Sequence, residues 1–564
     1  MSKTGAEILV ESLKKHKVEV VFGYPGGVLL GIYDKLFDAD VLHVLPRHEQ
    51  GGVHAADGYA RATGKVGVCF GTSGPGATNL VTGIANAYMD SVPMVAFTGQ
   101  VPTALIGGDA FQEADIIGIT RPIVKHSYLV QDVNELPRII NEAFYIASTG
   151  RPGPVVIDLP KDVVASKAKT KLDDNMHLPG YNPTYEGHPL QIKKMLKELS
   201  EAKKPLIYAG GGVIISGASD ELVKFSETLN VPVLTSFLGL GGFPGTHKNC
   251  VGWLGMHGNY ASNMAMTEAD FILAIGTRFS DRSTGRLDGF APNAKIAHID
   301  IDPASISKNV QIDIPIVGDC KKVLSQTFEY VDKFNWNKNA ENRSNWLNQI
   351  LAWNSQRPFS YKKSDKIIKP QFVVEEIYRI TNGDAIIATE VGQNQMWAGQ
   401  FYKYKNPRQF ISSGGLGTMG FGFPAAIGAK LGRPDKYVFD IAGDGSFMMN
   451  IQEICTAVQY RVSVKVAILN NKFLGMIRQW QHLFFGKRYS YSCLECQPDF
   501  LKIADAYGCV GLRAEKPSEV EDVIRESLKI EDRPVIMDFL VDREENVYPM
   551  VPAGAALNEM IYGE

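Results

Sequence analysis

The chain has 564 residues, 45% of them hydrophobic and 21% charged, which is enough for several domains with large cores. A formal net charge of −3 with no Lys/Arg-rich run excludes a nucleic-acid surface, and no apolar stretch is long enough to span a bilayer. The opening MSKTGAEILVESLKKHKV reads as a polar amphipathic helix rather than a signal peptide.

Seven scattered cysteines fit a reduced, cytoplasmic protein, and the lone Cys493-Leu494-Glu495-Cys496 has no second pair to complete a zinc site. The pattern predicts an α/β protein of three doubly wound parallel-sheet domains: 1–165, 190–330 and 369–550. In the first block the strands are EVVFGYPGG, VGVCFGTSGPGATNL (leading into a helix), VPMVAFTGQ and PVVIDLP. After the apolar run VLHVLP comes Arg47-His48-Glu49-Gln50-Gly51. A carboxylate in so apolar a setting tends towards a raised pKa, which suits sharing a proton with a ligand nitrogen. A helix-start glutamate favoured by the dipole reads equally well.

The Pro/Gly-marked SKAKTKLDDNMHLPGYNPTYEGHP is expected to be a linker. The second block alternates again: KPLIYAGGG, VPVLTS, ADFILAIGTRF and AKIAHIDIDP. Gly210-Gly211-Gly212 follows one strand, Asp300 and Asp302 end another, and Arg278 and Arg282 could grip a pyrophosphate. That set suits a nucleotide, or else a Rossmann-like domain that binds none. Residues 330–368 turn polar and Trp-studded and read as helix plus linker.

In the third block, which opens with DAIIATEVGQ and closes with PVIMDFLVD, the central unit is a strand, YVFDIAGDGSF, a helix, MMNIQEICTAVQY, and a strand, VKVAILNN. A parallel strand-helix-strand unit brings both strand ends to one sheet edge, so Asp444 and Asn471 can converge on one point. A carboxylate and an amide oxygen suit Mg²⁺, whose other positions go to water and phosphate oxygens. Gly445 allows close approach of a phosphate at a helix N-terminus. A plain turn with Asp444 as N-cap would not need Asn470-Asn471. Next, LGMIRQWQHLFFGKRYSYS places Met476 and Trp480 on one helix face, beside the metal motif, as a candidate site wall. The first and third blocks are faintly alike, each with a Gly-rich turn opening a helix (SGPGATN and GGLGTMGFGFPAAIGA).

GDG followed by NN, paired with an N-terminal HEQG, resembles the thiamine-diphosphate enzymes. YPGG, RHEQG, TSGPGATN, TGQVP, DAFQE, GRPGPVVIDLPKD, GGLGTMGFGFPAAIGA and GMIRQWQ resemble more closely the catalytic subunits of the acetohydroxyacid (acetolactate) synthase family, over about residues 5–550. The resemblance implies thiamine diphosphate, Mg²⁺ and FAD as cofactors, with thiamine diphosphate lying between the first domain of one subunit and the third of its partner. A homodimer or tetramer follows, and a separate regulatory small subunit is a further candidate partner. The implied reaction joins two pyruvates into 2-acetolactate and CO₂, or pyruvate and 2-ketobutyrate into 2-aceto-2-hydroxybutyrate, for branched-chain amino-acid synthesis.

By the same resemblance Glu49 meets the aminopyrimidine ring, Met419 props the cofactor in its bent shape, and the carbonyl near Phe473 joins Asp444 and Asn471 at the metal. Val391, Gly392, Gln393, Asn394, Gly417, Gly443, Ser446, Gly475 and Met476 complete the cofactor set. Gly27, Phe111, Gln112 and Lys161 match active-site positions, and Trp480 matches the residue favouring 2-ketobutyrate. Arg151, Gly211, Gly212, Leu254, Gly255, Met256, His257, Gly276, Thr277, Arg278, Arg282, Asp300, Ile301 and Asp319 match FAD contacts. The family's usual RFDDRVTG reads RFSDRSTG at Arg278–Gly285, and Asn394 stands where histidine is common. A FAD-dependent pyruvate oxidase, another 2-ketoacid decarboxylase, a FAD-free synthase and a non-catalytic protein of this fold are the competing readings.

Overall fold

The computed structural model describes residues 2–168 and 175–563, so part of the expected linker lies outside the described residues. Three six-stranded parallel sheets follow one another along the chain. The first contains β1 (Val20–Gly23), β2 (Leu42–Val44), β3 (Gly67–Gly71), β4 (Met94–Gln100), β5 (His126–Leu129) and β6 (Pro154–Pro160), in the order 2-1-3-4-6-5. The second contains β7 (Pro205–Ala209), β8 (Val233–Thr235), β9 (Cys250–Trp253), β10 (Phe271–Ile275), β11 (Lys295–Asp300) and β12 (Ile314–Val317), in the order 12-11-10-7-8-9. The third contains β13 (Ile386–Thr389), β14 (Phe410–Ile411), β15 (Val438–Gly443), β16 (Val464–Asn470), β17 (Val510–Ala514) and β18 (Val535–Leu540), in the order 14-13-15-16-18-17.

The first and third orders are one topology, which gives physical content to the faint likeness of the two blocks. The second is the dinucleotide-fold order. Central strands such as β4, β6 and β16 are buried along their whole length, as helices on both faces require of a parallel sheet, and their near-continuous apolar runs follow from that. The main reversal of order falls between β1 and β3, β7 and β10, and β13 and β15; the first and third sheets turn back once more at the far edge, where β6 lies inside β5 and β18 inside β17. Open α/β sheets bind ligands at such points.

Three local expectations change. The strand YVFDIAGDGSF stops at Gly443, and a short helix takes Asp444–Phe447. The helix expected over Met448–Tyr460 is 3-10 through Met448–Glu453, with Asn450 non-helical, and α-helical only over Ile454–Gln459. Tertiary bonds win here: Asn450 Nδ2 donates to Gly420 O at 2.6 Å, and the Glu453 carboxylate accepts from the N–H groups of Arg47 and His48. The Trp-studded segment is a packed helix, Ala340–Gln356, whose buried Trp346 donates to Pro205 O of the middle sheet at 3.0 Å.

Candidate active site

The chain turns through Val391, Gly392, Gln393 and Asn394 after β13, and through Gly443, Asp444, Gly445 and Ser446 after β15. With Asn471, Phe473 and Gly475 after β16, and Met419, these residues line a single cleft at the third sheet's reversal point. Gly392 has φ +154°, a conformation closed to L side chains, so the turn can begin the helix Gln393–Phe401 abruptly and aim its N-terminus at the cleft. Asp444 is almost wholly buried, and burial pushes its carboxyl up to about 6. Asn471 Oδ1 accepts the Phe473 N–H at 3.0 Å and keeps a second lone pair; its Nδ2 donates to Gln393 Oε1 at 3.3 Å.

The donor set is one carboxylate, one amide oxygen and nearby backbone, and no cluster of three His, Cys, Asp or Glu occurs among the described residues. Such a set under-fills a divalent ion by itself and fits Mg²⁺ completed by phosphate oxygens. Gly417 (φ +72°) lies two residues before Met419. Met476 and Trp480, both half-buried, sit on the helix Gly475–Phe484 that leads out of the cleft.

The other predicted catalytic residues lie in the first domain, in the segments that follow β1, β2, β4 and β6. Glu49 begins the helix Glu49–Thr63, is half-buried rather than enclosed by the apolar run, and accepts from Asn79 Nδ2 at 2.9 Å. The Cβ position of Gly76 is 3.2 Å from Glu49 Oε1. Gln112 has φ +58° and backs directly onto Gly74; beside it Phe111 is 89% exposed. Gly27 follows β1, and Lys161, exposed, starts the helix after β6. None of Glu49, Gly27, Phe111, Gln112 or Lys161 lines the cleft of its own chain.

At the middle sheet's reversal point the turns at Gly211-Gly212 and Gly276-Thr277 touch: Gly212 N–H donates to Gly276 O at 3.0 Å. Asp300, with Ile301 next to it, is buried at the end of β11, and Asp319 caps the helix Cys320–Thr327. Leu254, Gly255, Met256 and His257 form the turn after β9; His257 is buried against Pro549 O, and burial holds its imidazole down to about 4. Met256 and Arg282 line a second cavity with Val551–Gly554 and Leu557. Arg151 reaches in from the first block to pair with Asp302 at 3.3 Å. The half-buried Arg278 guanidinium donates to no protein acceptor among the described residues, and burial together with Arg151 holds its pKa down. Two crowded arginines with spare donors fit a diphosphate.

Three family models match in chain order. The N-terminal TPP-binding domain of thiamine pyrophosphate enzymes matches residues 3–119, their central domain 192–327 and their C-terminal TPP-binding domain 390–539. The acetolactate synthase large subunit of Haemophilus influenzae is 50% identical over 561 residues, 99% of this chain and 98% of that one. The isozyme 3 large subunit of Escherichia coli is 49% identical over 562 residues, again 99% and 98%, and the acetolactate synthase of Mycobacterium leprae is 49% identical over 99% of this chain and 90% of its own. The chain belongs to the acetolactate synthase family. It is accordingly a thiamine-diphosphate-dependent enzyme.

The structure adds residues to the family motifs. Trp397, Leu469 and Leu474 also line the cleft, and Gln479 braces Gln393 in its wall. Gln393 Nε2 donates to Gln479 Oε1 at 2.9 Å, and Gln479 in turn holds Val547 through its N–H and carbonyl at 2.8 and 2.9 Å. Gln479 lies inside the quoted GMIRQWQ, so its motif was visible though its role was not. Gln497, which donates to Asp444 Oδ2, carries no sequence signal because only the path of the Ser492–Gln497 strap brings it there.

Proposed function

We propose that the chain condenses pyruvate with a second 2-ketoacid, giving 2-acetolactate from a second pyruvate and 2-aceto-2-hydroxybutyrate from 2-ketobutyrate, for branched-chain amino-acid synthesis. The observation that carries the site assignment is the Asp444–Asn471–Phe473 donor set at the mouth of two glycine turns.

Asp444, Asn471 Oδ1 and the carbonyl at Phe473 would hold Mg²⁺, and the N-terminus of Gln393–Phe401 would face the diphosphate. When bound, thiamine diphosphate supplies a thiazolium ring that takes up the electron pair left by CO₂. Met419 would support the bend between the two rings. Glu49 spends Oε2 on Asn79, which leaves Oε1 to share a proton with the aminopyrimidine nitrogen. Glu49 does not line its own chain's cleft, which supports a reading in which that nitrogen belongs to a cofactor seated on a second chain. A homodimer is therefore the smallest complete unit, and a tetramer and a separate small subunit are compatible with it; the "large subunit" in relatives' names supports the latter.

Trp480 and Met476 would wall the second-substrate pocket, where discrimination by one methyl group is worth about 1–3 kcal/mol. Arg151 and Arg278 would grip the FAD diphosphate and Asp300 a ribose, with FAD structural. A cytoplasmic site of action fits the seven free cysteines, and no helix among the described residues is long and apolar enough to cross a membrane.

Product analysis with pyruvate, Mg²⁺, thiamine diphosphate and FAD tests this reading. Acetolactate without oxygen uptake is the expected result. Oxygen consumption with acetate or acetyl phosphate would instead make FAD a redox partner and the chain a pyruvate oxidase.

A further inference from the structure

The loop Ser412–Phe421, which carries Met419, belongs to the third domain but is held by the first. Arg61 Nη1 donates to Ser412 O at 2.9 Å, and Ser413 Oγ donates to Asn86 Oδ1 at 2.6 Å. Both oxygens of Asp90 are used on the loop: Oδ2 accepts the Gly414 N–H at 3.0 Å and Oδ1 the Gly415 N–H at 2.7 Å. Arg61 Nη2 donates to Asp90 Oδ2 at 2.9 Å, while its Nε pairs with the buried Asp57 at 2.5 Å. A buried carboxylate with this many donors fixes its surroundings closely, since any shift leaves a charge or an N–H unpaired.

The same short stretch touches Arg151, which pairs into the middle domain, and lies near Arg278. Ser91, next in sequence and with φ +61°, accepts from Arg151 Nε at 2.8 Å, and Arg151 pairs with Asp302. Arg278 Nη2 and Asp90 Oδ1 lie 3.2 and 2.7 Å from one point, the Cβ position of Gly415. The loop that sets Met419 and the two arginines suited to a diphosphate therefore meet at Asp90–Ser91.

We propose that Asp90 is a positioning residue that couples the middle-domain nucleotide site to the set of the Met419 loop, so that each cofactor strengthens binding of the other. The inference rests on the reading that Arg151 and Arg278 hold FAD and that Met419 abuts thiamine diphosphate. An anion on Arg278 engages a guanidinium that otherwise competes with the loop for Asp90, which leaves the carboxylate to Gly414, Gly415 and Arg61 and firms the loop's set without touching it. Such coupling is reciprocal in binding free energy.

The test is thiamine diphosphate affinity, by tryptophan quenching in saturating Mg²⁺ with and without FAD, and FAD affinity by flavin fluorescence with and without thiamine diphosphate. In the wild-type protein each cofactor should tighten the other by the same factor, about fivefold or more. Asp90→Asn turns an acceptor into a donor facing Arg61 or a loop N–H; it should still bind both cofactors, with the factor falling to near one. Ser91→Ala, a milder change at the same junction, should reduce the factor part-way. A wild-type protein that binds both cofactors without mutual effect, or an Asp90→Asn protein that keeps the full factor, overturns the coupling alone. A wild-type protein that binds no FAD overturns the flavin reading, and the coupling with it.

Discussion

After β1 the chain turns through Tyr24–Gly27, and after β13 it turns through Val391–Gln393; both turns flank the place where the same strand order reverses. The polar equipment differs. In the third sheet β15 runs into Gly443-Asp444-Gly445 and β16 into Asn470-Asn471, which bring the buried Asp444 and Asn471 to the cleft. In the first, β3 runs into Thr72-Ser73-Gly74, with no carboxylate, and the acid comes instead from Glu49 at the start of the helix after β2. At the corresponding place in the third sheet, before the helix that follows β14, stands Met419. On the proposed function, one architecture used twice yields one half-site for a metal and diphosphate and another for a ring nitrogen. The corresponding helices Glu49–Thr63 and Gly422–Gly432 cross each other so closely that a Cβ on Gly428 would sit 1.8 Å from Ala55 O, and one on Gly58 2.0 Å from Ala425 O.

The sharpest way to break the contrast is Asp444→Ala, which removes the one carboxylate that lines the cleft among the described residues. Thiamine diphosphate should no longer remain with the protein through gel filtration in Mg²⁺, and activity should fall to background; retention at the wild-type level would remove the metal reading. Glu49→Gln attacks the other half. Turnover should drop by roughly 10²–10⁴-fold while cofactor retention stays near normal, the opposite pattern to Asp444→Ala. Gly428→Ala tests the crossing itself: overpacking there should cost about 1–3 kcal/mol, seen as a lower melting temperature, and an unchanged value would mean the helices can part. Trp480→Leu carries the smallest expected effect, a loss of 2-ketobutyrate preference worth about 1–3 kcal/mol in competition with pyruvate, with cofactor binding intact.

Each sheet's four central strands are legible in the sequence, because burial on both faces leaves runs such as VPMVAFTGQ and VKVAILNN almost free of polar residues. The edge strands are not. Val510–Ala514 is only partly buried along most of its length, Phe410–Ile411 is two residues long, and the pairing of Cys250–Trp253 is interrupted by a register shift. An edge strand has one neighbour and one wet side, so its pattern merges with the loops. The convergence of Asp444 and Asn471 on one cleft is readable because two parallel strand ends meet at one sheet edge. The break at Met448–Glu453 is not, because Glu453 is held by Arg47 and His48, some 400 positions earlier in the chain.

Subunit complementation addresses the central claim most directly. Glu49→Gln and Asp444→Ala chains, each nearly inactive alone, are mixed in equal amounts, dissociated and reassociated, and assayed for acetolactate. If every site takes Glu49 from one chain and Asp444 from its two-fold partner, half the dimers are mixed, and each of those has one intact site. The mixture should recover about a quarter of wild-type activity. A mixture no more active than its components, with mixed dimers verified, would place both residues in a site within one chain and contradict the account.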